Sequence, residues 1–452
     1  MHRLRPRNRR GLALLTGTLL TAATLTFAAP HAGAQPDAQQ RAQPEPQPRA
    51  EPKAEDFQQV TLAKGEPEMG EPMTLAVLPD RSVLHTSRDG TVRLTDATGQ
   101  TKVAGKIPVY SHDEEGLQGV GVDPGFAKNR AVYFYYAPPL STPAGDAPND
   151  GTAADFKKFD GVNRLSRFVL KADGTLDTKS EKKVLDVPAS RGICCHVGGD
   201  IDFDRQGNLY LSTGDDSNPF ASDGYTPIDE RATRNPAYDA QRSAGNTNDL
   251  RGKILRIKVR KDGSYSVPSG NLFKKGTKKT RPEIYAMGFR NPFRMSVDKP
   301  TGIVYVGDYG PDAGKADPKR GPAGQVEFAR VTKPGNFGWP YCTGKNEPYI
   351  DYDFATGASG AAFDCAAPRN TSPHNTGLTA LPSAQPAWIP YDGGSVPSSA
   401  PARSRPWAAP STATTRSSTR PSSSRRRTTG TTSPVSSDAA GSSASTRAPT
   451  AP

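Results

Sequence analysis

From Phe57 to Pro397 the chain keeps no long apolar pattern of period 3.6, so extended helices are excluded as its framework. Short runs of β-branched and aromatic residues take their place, bounded by Asp-Gly, Gln-Gly-Asn and Thr-Gly turns. Val83-Leu84-His85-Thr86 and Val92-Arg93-Leu94 flank Asp89-Gly90, and Val132–Tyr136, Leu209–Leu211, Ile254–Ile257 and Val304–Val306 follow. Three of these runs share a phrase, an Asp, a turn and then an aliphatic-Tyr pair: Asp123 to Tyr133, Asp202–Asp204 to Tyr210, and Asp298 to Tyr305. The tyrosines are 77 and 95 residues apart, too irregular for a tight solenoid but suited to blades carrying long loops. A β-sandwich is too small for 341 residues, so the expectation is an all-β chain folded as a β-propeller.

Composition agrees, and it sets the ends apart. Hydrophobic residues make up 34% of 452, while 44 Gly and 43 Pro favour turn-rich β structure over a helical bundle. The net charge of +12 sits at the termini. Residues 1–34 hold five Arg and no acid, residues 398–452 hold eight Arg and one Asp, and the body is balanced. No nucleic-acid partner is therefore expected. Arg3 to Arg10, the apolar stretch Gly11–Ala29 and Ala32-Gly33-Ala34 read as an export signal over 1–34, cleaved before Gln35. Arg9-Arg10 admits the twin-arginine route as well as the general one. The apolar stretch is too short and Thr/Gly-rich for a stable membrane span, so secretion is expected. Residues 35–56 read as a disordered spacer, 57–397 as the propeller, and 398–452 as a disordered Ser/Thr/Pro/Arg tail. The abrupt change at Pro397 fits GC-rich DNA read out of frame, the preferred reading; a wall-spanning or glycosylated tail is the alternative.

Four cysteines in an exported chain imply disulfides. Cys342 with Cys365 would clip an insertion, leaving Cys194 and Cys195 as a vicinal pair stiffening the loop that presents His196. A metal reading of Cys-Cys-His lacks a second ligand cluster. His196 precedes Gly198-Gly199, which lets backbones approach closely and sets the imidazole at a loop tip, where a general base would stand. Arg290 could bind an anion and Asn291 orient it. Gly307-Asp308-Tyr309-Gly310-Pro311 offers carbonyls and a carboxylate, the ligand types Ca²⁺ takes. Pro334 to Pro340 reads as a turn with no catalytic group.

With these phrases in view, the chain resembles the glucose/sorbosone dehydrogenase family of soluble quinoprotein sugar dehydrogenases. The resemblance rests on Glu115-Gly116-Leu117-Gln118-Gly119-Val120-Gly121-Val122-Asp123-Pro124-Gly125-Phe126 and on His196-Val197-Gly198-Gly199 with Asn208-Leu209-Tyr210 and Gly214-Asp215. Gly252 to Ile257, Gly288-Phe289-Arg290-Asn291-Pro292 and Gly335 to Pro340 complete it, over roughly residues 57–395. It implies a six-bladed propeller binding pyrroloquinoline quinone (PQQ) partly through Ca²⁺, with His196 as base, Arg290 and Asn291 on the quinone, and Gly310 and Pro311 holding calcium by their carbonyls. Glu114 stands where the family often has Gln and is taken as a further cofactor contact. Cys195 replaces the Asp that precedes the base in the best-studied branch, and Asp200 follows the glycine pair where a basic or apolar residue is frequent. The family's further cofactor-contacting cations fall in last blades that 398–452 cannot supply. The expected function is PQQ-dependent oxidation of an aldose or polysaccharide end, with an external electron acceptor. The alternative is a non-catalytic propeller that binds carbohydrate or a protein partner. Arg290 and His196 facing one site would favour the enzyme.

Overall fold

In the computed structural model, residues 58–63 and 70–392 are described. The signal at 1–34, the spacer at 35–56 and the tail at 398–452 lie outside the described residues. The chain divides into two compact units at Val60–Thr61, and the sheets all belong to the second.

Each short apolar run of the sequence is a strand, and the strands form successive antiparallel meanders. The first sheet takes β1 (Pro72–Val77), β2 (Val83–Ser87), β3 (Thr91–Thr95) and β4 (Thr101–Lys106) in order. The second takes β5 (Leu117–Val122), β6 (Ala131–Tyr136), β7 (Asp160–Leu170) and β8 (Leu176–Ser190). The third runs β9 (Gly198–Phe203), β10 (Leu209–Thr213), β11 (Lys253–Val259), with β12 (Tyr265–Ser266) paired to it, then β13 (Ile284–Met287). The fourth holds β14 (Asn291–Val297), β15 (Val304–Tyr309) and β16 (Gln325–Val331). Beyond these, β17 (Gly335–Asn336) adds in parallel to β13. The short strands β18 (Cys342–Thr343) and β19 (Glu347–Pro348) pair, as do β20 (Ile350–Asp353) and β21 (Ala358–Ala362), and β22 (Ile389–Asp392) closes the fourth sheet on β16. Two short helices, α1 (Phe126–Asn129) and α2 (Ala153–Lys157), lie in the second sheet's connections.

The sheets stack face to face, which explains the unbroken apolar runs. In β6, Val132, Phe134 and Tyr136 join the core shared with the first sheet, while Tyr133 and Tyr135 join the core shared with the third. In β10, Leu209 and Leu211 face the second sheet and Tyr210 the fourth. A strand buried on both sides needs apolar residues at every position. Two of the three Asp–Tyr phrases are hydrogen bonds at the strand ends: Tyr133 Oη donates to Asp123 Oδ2 at 3.0 Å and Tyr210 Oη to Asp204 Oδ2 at 3.4 Å. The leading strands β1, β5, β9 and β14 pack side by side. Asp200 and Asp202 of β9 accept the Met295 and Val297 amides of β14, both at 2.8 Å.

This is a propeller-like, all-β arrangement, and the expected count of six is corrected: the described residues form four blade sheets. The expected six counted last blades that residues 398–452 were not expected to supply, and those residues lie outside the described ones. Leading strands begin at Pro72, Leu117, Gly198 and Asn291, and the third sheet alone accommodates the strand-free loop from Ser217 to Asn248 between β10 and β11. The faces left uncovered show Leu75, Val77 and Val103 on the first sheet, and Trp388 and Ile389 on or beside the last strand of the fourth.

Close strand approach depends on glycine at one point above all. A Cβ on Gly119 of β5 would run into the carbonyl oxygen of Gly199 in β9. Gly119→Ala therefore forces two leading strands apart, and urea unfolding should show a loss of about 1–3 kcal/mol.

Candidate active site

The loop between β8 and β9 carries the vicinal disulfide Cys194–Cys195 and then His196, and the second disulfide joins Cys342 to Cys365, so both expected pairings are present. His196 has a φ of 64°, a left-handed conformation that few side chains adopt. Its neighbours hold it there. The His196 amide donates to Glu114 Oε2 at 2.8 Å, and its carbonyl accepts from the Asp216 amide at 3.3 Å. The Gly198 amide donates to Asn291 Oδ1 at 3.0 Å, and Gly199 lies so close to Gln118 and Tyr135 that a Cβ there would sit 2.6 and 2.8 Å from their side chains.

The imidazole is not on an open loop tip as expected: His196 is only 4% exposed. Its Nδ1 lies 2.8 Å from Asp215 Oδ1 and 3.4 Å from Ser217 Oγ. Asp215 is wholly buried and richly supplied with donors. Trp339 Nε1 donates to Oδ2 at 2.7 Å, Ser217 Oγ to Oδ2 at 2.8 Å and the Ser217 amide to Oδ1 at 3.0 Å. Burial pushes its acidity the other way, yet the His196 ring, Arg290 and the Trp339 bond together hold it below the usual carboxylate range. In the tautomer that donates a hydrogen bond from Nδ1–H to ionised Asp215, the His196 lone pair is on Nε2.

Arg290 and Asn291 reach the same place from β14. The Asp308 carboxylate accepts the Arg290 amide at 3.1 Å and the Asn291 amide at 2.7 Å, while the Arg290 carbonyl accepts the Asp215 amide at 2.8 Å. The Arg290 side chain is 7% exposed, and its recorded contacts are long: 3.5 Å from Nη1 to the Tyr309 carbonyl and 3.8 Å from Nη2 to Asp312. Neighbouring cations are more tightly engaged. Arg251 pairs with Asp216 and Asp249, each at 2.7 Å, and Lys253 donates to the carbonyls of Ser243, Ala244 and Arg251.

The structure thus brings together His196, Glu114, Arg290 and Asn291, with Gly310 and Pro311 following directly on Tyr309 at the Arg290 head. Asp308 does not serve as the free carboxylate that calcium ligation would need. It is buried, bound to two amides, and pushed well above the usual range by burial and by the charge of Glu327 across the ladder. Sequence reasoning left three participants without a role: Asp215, Ser217 and Trp339. A cleft of about 460 Å³ opens at the opposite ends of β5 and β9, among Asp123, Tyr133, Phe203 and Lys258, and holds none of these groups.

The family model for glucose/sorbosone dehydrogenase matches residues 69–369. The chain belongs to this family. The aldose sugar dehydrogenase YliI of Escherichia coli is 25% identical over 282 residues, covering 61% of this chain and 60% of that one. Quinoprotein glucose dehydrogenase B of Acinetobacter calcoaceticus is 23% identical over 302 residues, covering 64% and 55%. Among solved structures, the PQQ-bound aldose sugar dehydrogenase of Streptomyces coelicolor is 24% identical with a TM-score of 0.43, covering 63% of this chain and 66% of that one. The chain therefore spans about 60% of the length of the Escherichia coli glucose/sorbosone dehydrogenase relative.

Behind Arg290, the buried Glu327 is pushed up to about 7, burial outweighing its bonds from the Gly344 amide and Thr343 Oγ1. The unfolded chain releases this proton near 4.5, so the folded state binds more protons between these values and loses stability as pH rises across them. Glu327→Gln keeps the acceptor for both donors. Unfolding followed from pH 4 to pH 8 should lose up to about 3 kcal/mol less in the variant than in the wild type.

Proposed function

We propose that this chain oxidises the anomeric carbon of an aldose with PQQ as cofactor, as an exported protein that passes its electrons to an external acceptor. The observation that carries the proposal is the Asp215–His196 pair standing beside an almost buried guanidinium with only long contacts. The names of the relatives, an aldose sugar dehydrogenase and a quinoprotein glucose dehydrogenase, support the same reading. Among the described residues no helix is long and apolar enough to cross a membrane, and the Arg-rich leader at 1–34 supports export.

The residues present suit such a cofactor. A buried arginine without a short carboxylate partner favours a carboxylate-bearing ligand, and PQQ is one. The carbonyls of Gly310 and Pro311 offer two hard oxygens, fewer than the six to eight that Ca²⁺ takes. Calcium would complete its shell from the ligand and water, making it a shared rather than an all-protein site. When bound, the quinone would supply the acceptor for the hydrogen and electron pair leaving the sugar carbon.

The chain's own contribution is proton handling and positioning. His196 Nε2 takes the proton of the anomeric hydroxyl, and the imidazolium that forms rests against ionised Asp215. Trp339 and Ser217 keep Asp215 ionised and fixed, so the ring need not reorganise as charge appears on it. Asn291 and Glu114 hold the backbone on either side of His196.

Protein loaded with PQQ and Ca²⁺ and assayed with glucose and an artificial electron acceptor tests the reading. His196→Ala should lower kcat by about 10²-fold or more. Asp215→Asn, which leaves the wrong nitrogen protonated, should lower kcat with little change in KM. Unchanged turnover in His196→Ala would sink the base assignment. Arg290→Ala should weaken PQQ binding about tenfold or more by equilibrium titration, with activity partly restored at high PQQ.

A further inference from the structure

The cleft of about 460 Å³ at the ends of β5 and β9 away from His196 is lined by five cations, Arg167, Arg205, Lys258, Arg260 and Lys261. Asp123 is the one acid in its wall. The body of the chain is balanced in charge, so this excess is local. Asp123 does not neutralise it. Its Oδ1 accepts from the Gly125 amide at 2.8 Å and from Asn129 Nδ2 at 3.0 Å, and its Oδ2 from Tyr133 Oη at 3.0 Å.

Arg167 separates this cleft from a scatter of surface cations. It is only 6% exposed, and on β7 it stands opposite Tyr133 of β6 and Lys182 of β8. Directly opposed residues share a face of the sheet. Tyr133 belongs to the core between the second and third sheets, so Arg167 is held where these two sheets part. Its neighbour there is the Tyr133 hydroxyl, whose proton is already given to Asp123. Arg164, on the same strand, takes both oxygens of Asp186, at 2.8 and 3.2 Å. Among the described residues no carboxylate forms an ion pair with Arg167. A buried guanidinium left in this state is short of an anion. The third sheet supplies the other wall. Arg205 follows β9, Lys258 lies near the end of β11, and Arg260 and Lys261 follow that strand. Lys258 Nζ donates to the Gln206 carbonyl, which ties the turn after β9 to β11.

We propose that this cleft binds a small free ligand carrying two or more phosphate groups, with Arg167 at its floor and Arg205, Arg260 and Lys261 at its rim. Guanidinium forks match phosphate oxygens bidentately, and ammonium groups add point charges. Five cations around so small a volume need several negative charges close together, which condensed phosphate provides and a single carboxylate does not. A recessed arginine favours a ligand that enters the cleft over a flat charged surface that covers it. The site lies apart from His196 and stands independently of the sugar-oxidation reading.

Calorimetric titration of the full chain with pyrophosphate tests the site. Saturable binding with a Kd of about 10⁻⁴ M or tighter is expected. Arg205→Glu combined with Lys261→Glu reverses two exposed charges without touching the core, and should weaken binding about tenfold or more. Arg167→Gln should weaken it to a similar degree. Absence of saturable binding, or binding that the double reversal leaves unchanged, overturns the proposal whether or not Arg167→Gln folds. Citrate, a tricarboxylate, should bind about tenfold more weakly; equal binding overturns the preference for phosphate. Sedimentation with phosphatidylcholine vesicles containing about 30% phosphatidylglycerol distinguishes a lipid headgroup. Co-sedimentation that the double reversal abolishes, without a pyrophosphate response, overturns the free ligand in favour of the membrane.

Discussion

The Asp215 carboxylate is the constraint on which the site depends. A buried carboxylate is tolerated only when hydrogen-bonded or paired, and removing one partner leaves the penalty in place. Asp215 draws its partners from separate parts of the chain: His196 from the loop before β9, Ser217 from the loop after β10, and Trp339 from 124 residues away. Its own amide is tied to the Arg290 carbonyl. None of these segments can withdraw without leaving the charge less satisfied. The requirement that keeps the carboxylate ionised therefore also fixes the imidazole, the indole and the peptide that leads into Arg290.

Around this centre the molecule changes character. The cores between the sheets are aliphatic and aromatic, and the loop end is a mesh of buried charge. Asp216 takes Arg242 and Arg251, Glu115 takes Arg191, and Lys253 is wholly sequestered among three carbonyls, with burial lowering its pKa to about 7. Such pairs contribute little net stability once desolvation is counted. Asp216, Arg242 and Arg251 tie the start of the long loop between β10 and β11 to its end. Among the described residues, Arg290 differs from these neighbours in having its nearest carboxylate, Asp312, at 3.8 Å.

Much of this was legible in the sequence, for identifiable reasons. Strands buried on both faces have to be written as unbroken runs such as Ala131–Tyr136, and two of the three Asp–Tyr phrases proved to be hydrogen bonds between the end of one strand and the body of the next. His196 was marked by the two glycines behind it. Asp215 was within reach: β9 and β10 form a hairpin in which Thr213 pairs with Gly198, so residues two beyond each end meet. Drawing that register would have placed Asp215 beside His196. Trp339 was not reachable, because its role is set by the parallel addition of β17 to β13, a long-range pairing of two residues that no local pattern announces. The blade count fell short because the last blades were expected beyond Pro397, where 398–452 could not supply them, and the described residues end at Asp392.

The presence of Cys195 immediately before His196 fits the same geometry. A carboxylate next to His196 in sequence would have to double back to reach its own neighbour's ring, whereas Asp215 meets Nδ1 directly across the hairpin. With the electrostatic partner supplied from β10, position 195 has no charge to carry, and the vicinal disulfide can occupy it. The left-handed conformation of His196, which an ordinary side chain adopts at a cost of roughly 1–2 kcal/mol, is then offset by bonds on both sides of the residue: Glu114 on its amide, the Asp216 amide on its carbonyl, and Asn291 on Gly198. Those partners belong to three sheets: Glu114 leads into β5, Asp216 follows β10 and Asn291 opens β14. The orientation of one imidazole is thereby an expression of how three sheets pack.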